Sequence, residues 1–163
     1  METKGGFYIS QIKQLQDRIF GRLLAEAGLE INGSQGRILF VLWKEEGLTM
    51  SEIGKRTSLA NNTLTSIIDR MASREILIRK QDAKNRRQVR IYLTDTARNM
   101  KKKYEEVSQK MNRLFYRGFE EEEVGELEIN LKRILENLKD YERDVEKTAI
   151  EVSRQKTLKK RGE

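Results

Sequence analysis

Apolar residues recur every three or four positions through most of the chain, the spacing that places them on one face of an α-helix. The first such segment runs from Phe7 to Ala27, and Gly28 is placed to close it. A second helix is predicted from Asn32, because Asn32-Gly33-Ser34-Gln35 has the composition of an N-cap followed by glutamine. We expect this helix to end at Gly47.

A different order of elements is predicted between residues 48 and 94. Thr49-Met50-Ser51-Glu52 is typical of a capping box, in which the threonine hydroxyl and the glutamate carboxylate each bind a free backbone N–H of a short third helix. After a break at 59–62, a fourth helix has one apolar and one polar face. The extended runs 76–80 and 88–93 flank Asp82-Ala83-Lys84-Asn85-Arg86-Arg87, which predicts a β-hairpin with a cationic tip. We expect no other β structure.

Two long amphipathic helices complete the predicted fold. Thr94 is placed to cap the first, and a break near Gly118 precedes the second, whose first turn carries the acidic residues 120–123. From Val124 to Val152 the apolar positions of the last helix have a mean spacing of about 3.5 residues, which keeps one stripe turned toward a partner helix. Such stripes fit either an intramolecular core or a second copy. The length of this helix favours a homodimer, since so small a domain could not cover it.

The absence of certain residue types narrows the function. With no cysteine and no histidine, the chain cannot build Ser-His-Asp or Cys-His catalysis or the common zinc sites, so we expect no enzyme, no catalytic residues, no metal and no cofactor. The absence of proline permits long helices. The first residues lack the pattern of a signal peptide, and no apolar run approaches the roughly 20 residues that cross a bilayer. We therefore expect a cytoplasmic protein.

The positive charge is concentrated in one part of the chain. The net charge is +7, yet residues 48–103 hold 14 basic and 5 acidic side chains, whereas residues 104–153 hold 8 and 14. A localised basic block indicates a polyanionic partner.

The order of elements in the basic block predicts a mainly α fold with a small β-hairpin wing, the winged helix-turn-helix. We expect a first dimerisation helix in residues 1–31, the DNA-binding region in 32–94, long dimerisation helices in 95–153 and a basic, disordered tail in 154–163. The N-terminal part of the fourth helix would enter the major groove of double-stranded DNA, and the wing would contact the backbone or the minor groove. The predicted DNA-binding residues are Asn61, Asn62, Thr63, Thr65, Ser66, Arg70, Lys84, Arg86 and Arg87.

Some of these residues also have a purely structural interpretation. Asn61 could merely cap its helix, with the other polar residues forming a solvated face. Asp82 either pairs with one of the tip arginines and orients it or simply forms the turn. Phe20, Trp43 and Tyr104 lie on apolar stripes, and we interpret them as core rather than as the lining of a cavity.

The fourth helix, the cationic tip and the following Leu93-Thr94-Asp95 together resemble the MarR-type regulators of bacteria and archaea, and the resemblance extends over nearly the whole chain. It implies a homodimer built by the first and last two helices, with two wings on a pseudo-palindromic operator. It further implies repression that a small aromatic or phenolic effector relieves. The wing departs from the family pattern Asp-x-Arg-Asp-x-Arg at Lys84 and Asn85, so Arg86 or Arg87 is expected to take over the groove contact.

Two other classes of function remain open at this level. The basic block also fits an architectural or nonspecific DNA-binding protein, and the acidic last helix fits an adaptor for a protein partner. The operator, the effector and the sign of regulation cannot be read from the residues.

Overall fold

The computed structural model describes residues 3–159, with side chains through residue 150. The chain divides into two compact units, one ending at Phe115 and the other beginning at Tyr116. The first unit contains α1 (Gly5–Glu26), α2 (Gly33–Leu42), β1 (Leu48–Thr49), α3 (Met50–Thr57), α4 (Asn61–Ser73), β2 (Leu77–Gln81), β3 (Val89–Leu93) and α5 (Asp95–Phe115). The second contains α6 (Glu121–Lys159). The expected mainly α, winged helix-turn-helix architecture is confirmed.

The helix starts follow the predicted capping signals. Both reciprocal hydrogen bonds of a capping box are present between Asn32 and Gln35 at α2 and between Thr49 and Glu52 at α3. At α5 the hydroxyl of Thr94 accepts from the backbone N–H of Ala97 at 3.3 Å. Each bond satisfies an N–H that would otherwise lack a partner in the first helical turn.

The expected end of α2 at Gly47 is wrong. The helix ends at Leu42, and Gly47 lies in the turn that leads into β1, with a φ of +75°. Its N–H donates to the carbonyl of Ile91 at 2.9 Å. Glycine is therefore needed here for a left-handed turn beside a strand rather than for a helix end.

The expectation of a two-stranded hairpin alone is also wrong. The sheet has three antiparallel strands in the order β1-β3-β2. Leu48 of β1 lies opposite Ile91, and Leu77 of β2 lies opposite Leu93. The short strand β1 joins the wing to the residues that begin α3.

One hydrophobic core holds the first unit together. Its largest fully buried side chains come from α1, α2, α3, α4 and the sheet: Leu24, Ile38, Leu39, Leu42, Leu48, Ile53, Leu64, Ile68, Met71 and Ile91. Tyr104 of α5 also belongs to this core, with its ring edge-on to Phe20 and 5.0 Å from that of Trp43. Because α4 buries three side chains in this core, its opposite face is held toward solvent.

The second unit has an exposed apolar stripe. Within α6, Leu131, Leu135, Leu138, Tyr141 and Val145 are between 37% and 72% exposed. The helix continues to Lys159, and residues 160–163 lie outside the described part, so the disorder expected of the tail 154–163 stays a prediction. Within residues 3–159, no helix is both long and apolar enough to cross a membrane.

Candidate nucleic-acid interface

The turn between α3 and α4 presents the start of α4 to solvent. Ser58 closes α3 in the left-handed conformation, with a φ of 54°. Gly54 of α3 lies beside the start of α4, where a Cβ would make ordinary van der Waals contact with Asn61 and Leu64 at 3.6 Å. Leu64 is fully buried and anchors α4, so the residues on either side of it point outward.

The outward face of α4 carries short polar side chains. Every residue predicted to read DNA from this helix is exposed: Asn61, Asn62, Thr63, Thr65, Ser66 and Arg70. The N-cap is Ala60 and no side chain caps the helix, so the alternative role of Asn61 as a cap is wrong. The hydroxyl of Thr65 donates to the carbonyl of Asn61 at 2.9 Å, which leaves its methyl group and its remaining lone pair for an external partner.

One acidic residue on this face is neutralised from the wing. Asp69 lines the same shallow groove as Asn62, Ser66 and Arg70. Its carboxylate contacts the guanidinium of Arg79 on β2. This ion pair links the outward face of α4 to the wing and removes a negative charge that would repel phosphate.

The wing loop is organised by Asp82. Its Oδ1 accepts from the backbone N–H groups of Lys84 at 2.7 Å and Asn85 at 3.2 Å, and its Oδ2 accepts from Nε of Arg90. The expected pairing with a tip arginine is therefore wrong, because the partner lies on β3. The turn-forming role is present, and Lys84, Arg86 and Arg87 are all exposed at the tip.

Two carboxylates at the base of the wing are held in their charged form. Hydrogen bonds from Arg90 and from the Lys84 amide lower the pKa of Asp82. The backbone and hydroxyl of Thr49 lower the pKa of Glu52 at the start of α3. Both groups therefore remain ionised well below neutral pH.

The cations of the basic block fall into two groups, those that contact a carboxylate and those that do not. Arg56, Arg74, Arg79, Arg90 and Arg98 contact carboxylates. Arg70, Lys84, Arg86 and Arg87 contact no carboxylate in the part of the chain that the structure describes. These four cations lie on α4 or at the wing tip, where they are available to an external polyanion.

A second feature of the first unit is a cleft of about 360 Å³ between α1, α2 and α5. Phe20, Phe40 and Tyr104 supply aromatic walls, and Arg37 supplies positive charge, whereas Lys13 contacts the carboxylate of Asp17 in the same cleft. Nη1 of Arg37 also donates to the Thr57 carbonyl at the end of α3, at 3.3 Å. Phe20 and Tyr104 thus line a cavity, contrary to the expectation that they are only core.

Trp43 has a different position from Phe20 and Tyr104, the two residues that share its predicted role in the core. Its indole Nε1 donates to the carbonyl of Ala97 at 3.0 Å, and it packs against the core. It does not line the cleft.

Burial raises the pKa of Tyr104, so this phenol stays neutral in the ordinary pH range. Among the described residues, no cluster of carboxylates could hold a metal ion.

The sequence profile of the MarR family matches residues 31–89, from just before α2 to the start of β3. Over this segment the chain is similar to the MarR family. The matched segment contains the whole of α3, the outward face of α4 and the wing tip.

One curated relative is a transcriptional regulator. The HTH-type transcriptional regulator TtmR of Methylorubrum extorquens is 41% identical over 86 residues, which cover 53% of this chain and 43% of the relative. The chain thus spans less than half the length of that relative.

Two solved structures share the fold. A cysteine-to-serine mutant of MarR from E. coli, solved with operator DNA, has a TM-score of 0.73 at 25% identity, over 80% of this chain and 92% of that one. BpsR of Bordetella bronchiseptica has a TM-score of 0.75 at 18% identity, over 82% of this chain and 96% of that one.

Two residues of the site are not predicted by the sequence pattern. The pattern places Arg90 only in an extended run, and it gives Arg37 no distinct role. A weak signal exists for Arg90, since it is a cation flanked by Val89 and Ile91 in a strand with a buried face. For Arg37 no local signal exists, because its acceptor lies 20 residues further along the chain.

Proposed function

We propose that this chain is a homodimeric transcriptional regulator that binds a pseudo-palindromic site on double-stranded DNA, and that it is a repressor released by a small aromatic anion. The observation that carries DNA binding is the grouping of four unpaired cations with the short polar face of α4. Lone cations repel one another at a wing tip and add no stability there, so a polyanionic partner gives them a role. The operator-bound E. coli relative supports the same use of the fold.

The short polar face favours sequence-specific binding over nonspecific coating. Asn62 can bond bidentately to adenine, and the methyl group of Thr65 can contact thymine, whereas Arg70 and the wing cations suit phosphate or the minor groove. An architectural protein needs the cations alone. The combination therefore supports a regulator with its own operator.

Exposed apolar stripes support homodimerisation. On α1, Phe7, Ile12 and Leu15 are between 45% and 62% exposed, and α6 has its own stripe from Leu131 to Val145. Isolated apolar residues on a surface are ordinary, but contiguous rows along long helices mark an interface. A second copy would cover both rows and bring two α4 helices to one DNA molecule.

The cleft supports regulation by a small anion. Its volume lies at the lower end of the range of ligand sites, and it combines aromatic walls with the guanidinium of Arg37. An anion that draws Arg37 into the cleft would take a donor from the carbonyl end of α3, four residues before α4 begins. BpsR, whose DNA binding is regulated by 6-hydroxynicotinic acid, shares this fold.

Selection from randomised duplex DNA at controlled salt tests the proposed function. We expect an enriched inverted repeat whose half-sites lie about 10 bp apart, preferred over bulk DNA by at least about 10³-fold. Affinity should fall about 10³ to 10⁵-fold between 50 and 200 mM salt for six to ten phosphate contacts. Binding without any enriched sequence would favour the architectural alternative, and no binding at low salt would refute both.

Release is tested with 4-hydroxybenzoate and benzoate as aromatic anions and cyclohexanol as an uncharged control. We expect at least one anion to weaken binding to the selected duplex, with a smaller effect on Arg37→Gln than on the unchanged protein. If neither anion nor 6-hydroxynicotinate changes the affinity, regulation by this class of ligand is wrong, while the DNA-binding proposal stands.

A further inference from the structure

Arg90 contacts three separate elements around the base of the wing. Its Nε donates to Asp82 at the end of β2, and its Nη1 donates to the carbonyl of Gly47 before β1 at 2.7 Å. The same Nη1 lies 4.0 Å from Oε2 of Glu52 in the first turn of α3. One guanidinium thus joins the wing both to the turn before β1 and to α3.

Each partner of Arg90 itself holds a turn or a helix end. Asp82 closes the wing loop through the backbone N–H groups of Lys84 and Asn85. Glu52 accepts from the backbone N–H of Thr49 at 2.7 Å, which fixes the start of α3. A continuous chain of polar contacts therefore runs from the wing loop through Arg90 to the helix that supports α4.

From these contacts we infer that Arg90 is a positioning residue for DNA binding, which fixes the direction of the wing cations relative to α4 without contacting DNA itself. The consequence for affinity rests on the proposed function. The role of Arg90 in fixing the geometry of the wing does not depend on the proposed function.

Burial and donor use distinguish Arg90 from the DNA-contacting cations. Its side chain is 33% exposed and that of Asp82 only 12%, whereas Lys84, Arg86 and Arg87 at the tip are exposed. Two of its donors are engaged inside the protein. Loss of Arg90 would leave a largely covered carboxylate without its counter-charge, and that carboxylate is the group that orders the loop.

The planar guanidinium explains why arginine is needed. Nε and Nη1 lie in one rigid fork and reach a carboxylate and a carbonyl at the same time, whereas lysine presents a single hydrated ammonium group. We expect Arg90→Lys to keep the charge but to form only one of the two hydrogen bonds. Its affinity for DNA should therefore fall between those of the unchanged protein and Arg90→Gln.

A mutant cycle on the selected duplex tests the inference. We expect Arg90→Gln to weaken binding at least 10-fold, Asp82→Asn to weaken it similarly, and the double variant to weaken it no more than either alone. In a protein already carrying Lys84→Ala, Arg86→Ala and Arg87→Ala, adding Arg90→Gln should change the affinity less than 2-fold. The matched control Arg143→Gln removes an arginine from an ion pair on α6 and should leave affinity unchanged.

Two results of the cycle would overturn the inference. A full 10-fold loss from Arg90→Gln in the protein without wing cations would mean that Arg90 binds DNA itself or acts only through α3. Normal affinity of Arg90→Gln in the otherwise unchanged protein would mean that the wing needs no such support.

Hydrogen exchange without DNA gives a second readout that does not depend on the proposed function. We expect Arg90→Gln to speed exchange of the Lys84 and Asn85 amides at least 10-fold, with amides in the middle of α4 unchanged. Equal exchange of the two loop amides in both proteins would overturn the inference, even if DNA binding fell. If the unchanged protein bound no duplex, the proposed function would fail, and the exchange experiment would still decide the role of Arg90.

Discussion

At the scale of single residues, the partner of each cation determines its role. Arg74 and Arg98 belong to the same basic block as Arg86 and Arg87, yet the first two are engaged with Glu30 and Glu46. An arginine held by a carboxylate stabilises or positions a segment, whereas an unpaired one remains available to phosphate. The net charge of the block alone cannot distinguish these roles.

The tip arginines should contribute to affinity and not to sequence preference. We predict that Arg86→Ala with Arg87→Ala weakens binding to every duplex alike and lowers the slope of log K against log salt by about 0.9 for each phosphate that the variant no longer neutralises. Fluorescence anisotropy at four salt concentrations measures both quantities. Lys132→Ala with Arg133→Ala on α6 is the matched control, and an equal effect of that pair would argue for a nonspecific charge effect.

Asn62 should contribute to the preference for one DNA sequence over another and contribute little to the affinity for DNA in general. We predict that Asn62→Ala reduces discrimination between the selected site and its best single-base variant by about 1 to 3 kcal/mol, because alanine cannot form the bidentate hydrogen bonds to adenine. Competition binding against a panel of duplexes with single-base changes measures this discrimination. The control is Asn99→Ala, an exposed asparagine on α5. A uniform loss on all duplexes would refute base reading by Asn62.

The sequence allowed the local residue contacts to be predicted but not the distant ones. Asn32 with Gln35 and Thr49 with Glu52 are three residues apart, so their capping boxes follow from spacing alone. The partner of Asp82 depends on which way the side chain of Arg90 points, which the strand pairing determines. The exposed residues of α4 could be predicted, but the ion pair of Asp69 with Arg79 on β2 could not.

At the scale of elements, close packing of α2 against α5 depends on one glycine. A Cβ at Gly36 would lie 2.6 Å from the ring of Tyr104, which is itself held by Phe20 and Trp43. The ring cannot move without disturbing the cleft and the core. The packing of these helices thus couples the ligand cleft to stability.

We predict that Gly36→Ala lowers the free energy of unfolding by about 1 to 3 kcal/mol, the usual cost of overpacking. Chemical denaturation followed by circular dichroism measures it. Gly21→Ala in α1 is the control, because a Cβ at that position would meet no neighbouring side chain within 4 Å, and it should be neutral or slightly stabilising. Equal stability of the Gly36 variant and the unchanged protein would show that Tyr104 can give way.

The elements that the sequence did not predict are those set by long-range pairing. Strand β1 has only two residues and overlaps the capping signal of α3, so no local pattern reveals it. It exists because Leu48 pairs with Ile91, 43 positions away. Long helices and strong caps were predictable because their signals repeat or lie close together.

At the scale of the whole molecule, the absence of histidine and cysteine leads us to expect that the proposed DNA binding is insensitive to pH near neutrality. The pKa values of Asp82 and Glu52 are lowered, so the order they provide is present above about pH 4 and is lost as pH falls through their folded-state values. We predict less than a 3-fold change in DNA affinity from pH 5.5 to 8. A midpoint between pH 6 and 7 in an anisotropy titration would contradict this.

The central claim is that two copies of α4, each beside its cationic wing, are held at the pitch of B-form DNA. The most direct measurement compares the selected inverted repeat with the same duplex carrying 5 bp more between its half-sites. The added half turn puts the second half-site on the opposite face of the helix, so we predict at least a 100-fold loss of affinity and a value close to that of a single half-site. Equal affinity for the two duplexes would contradict the account.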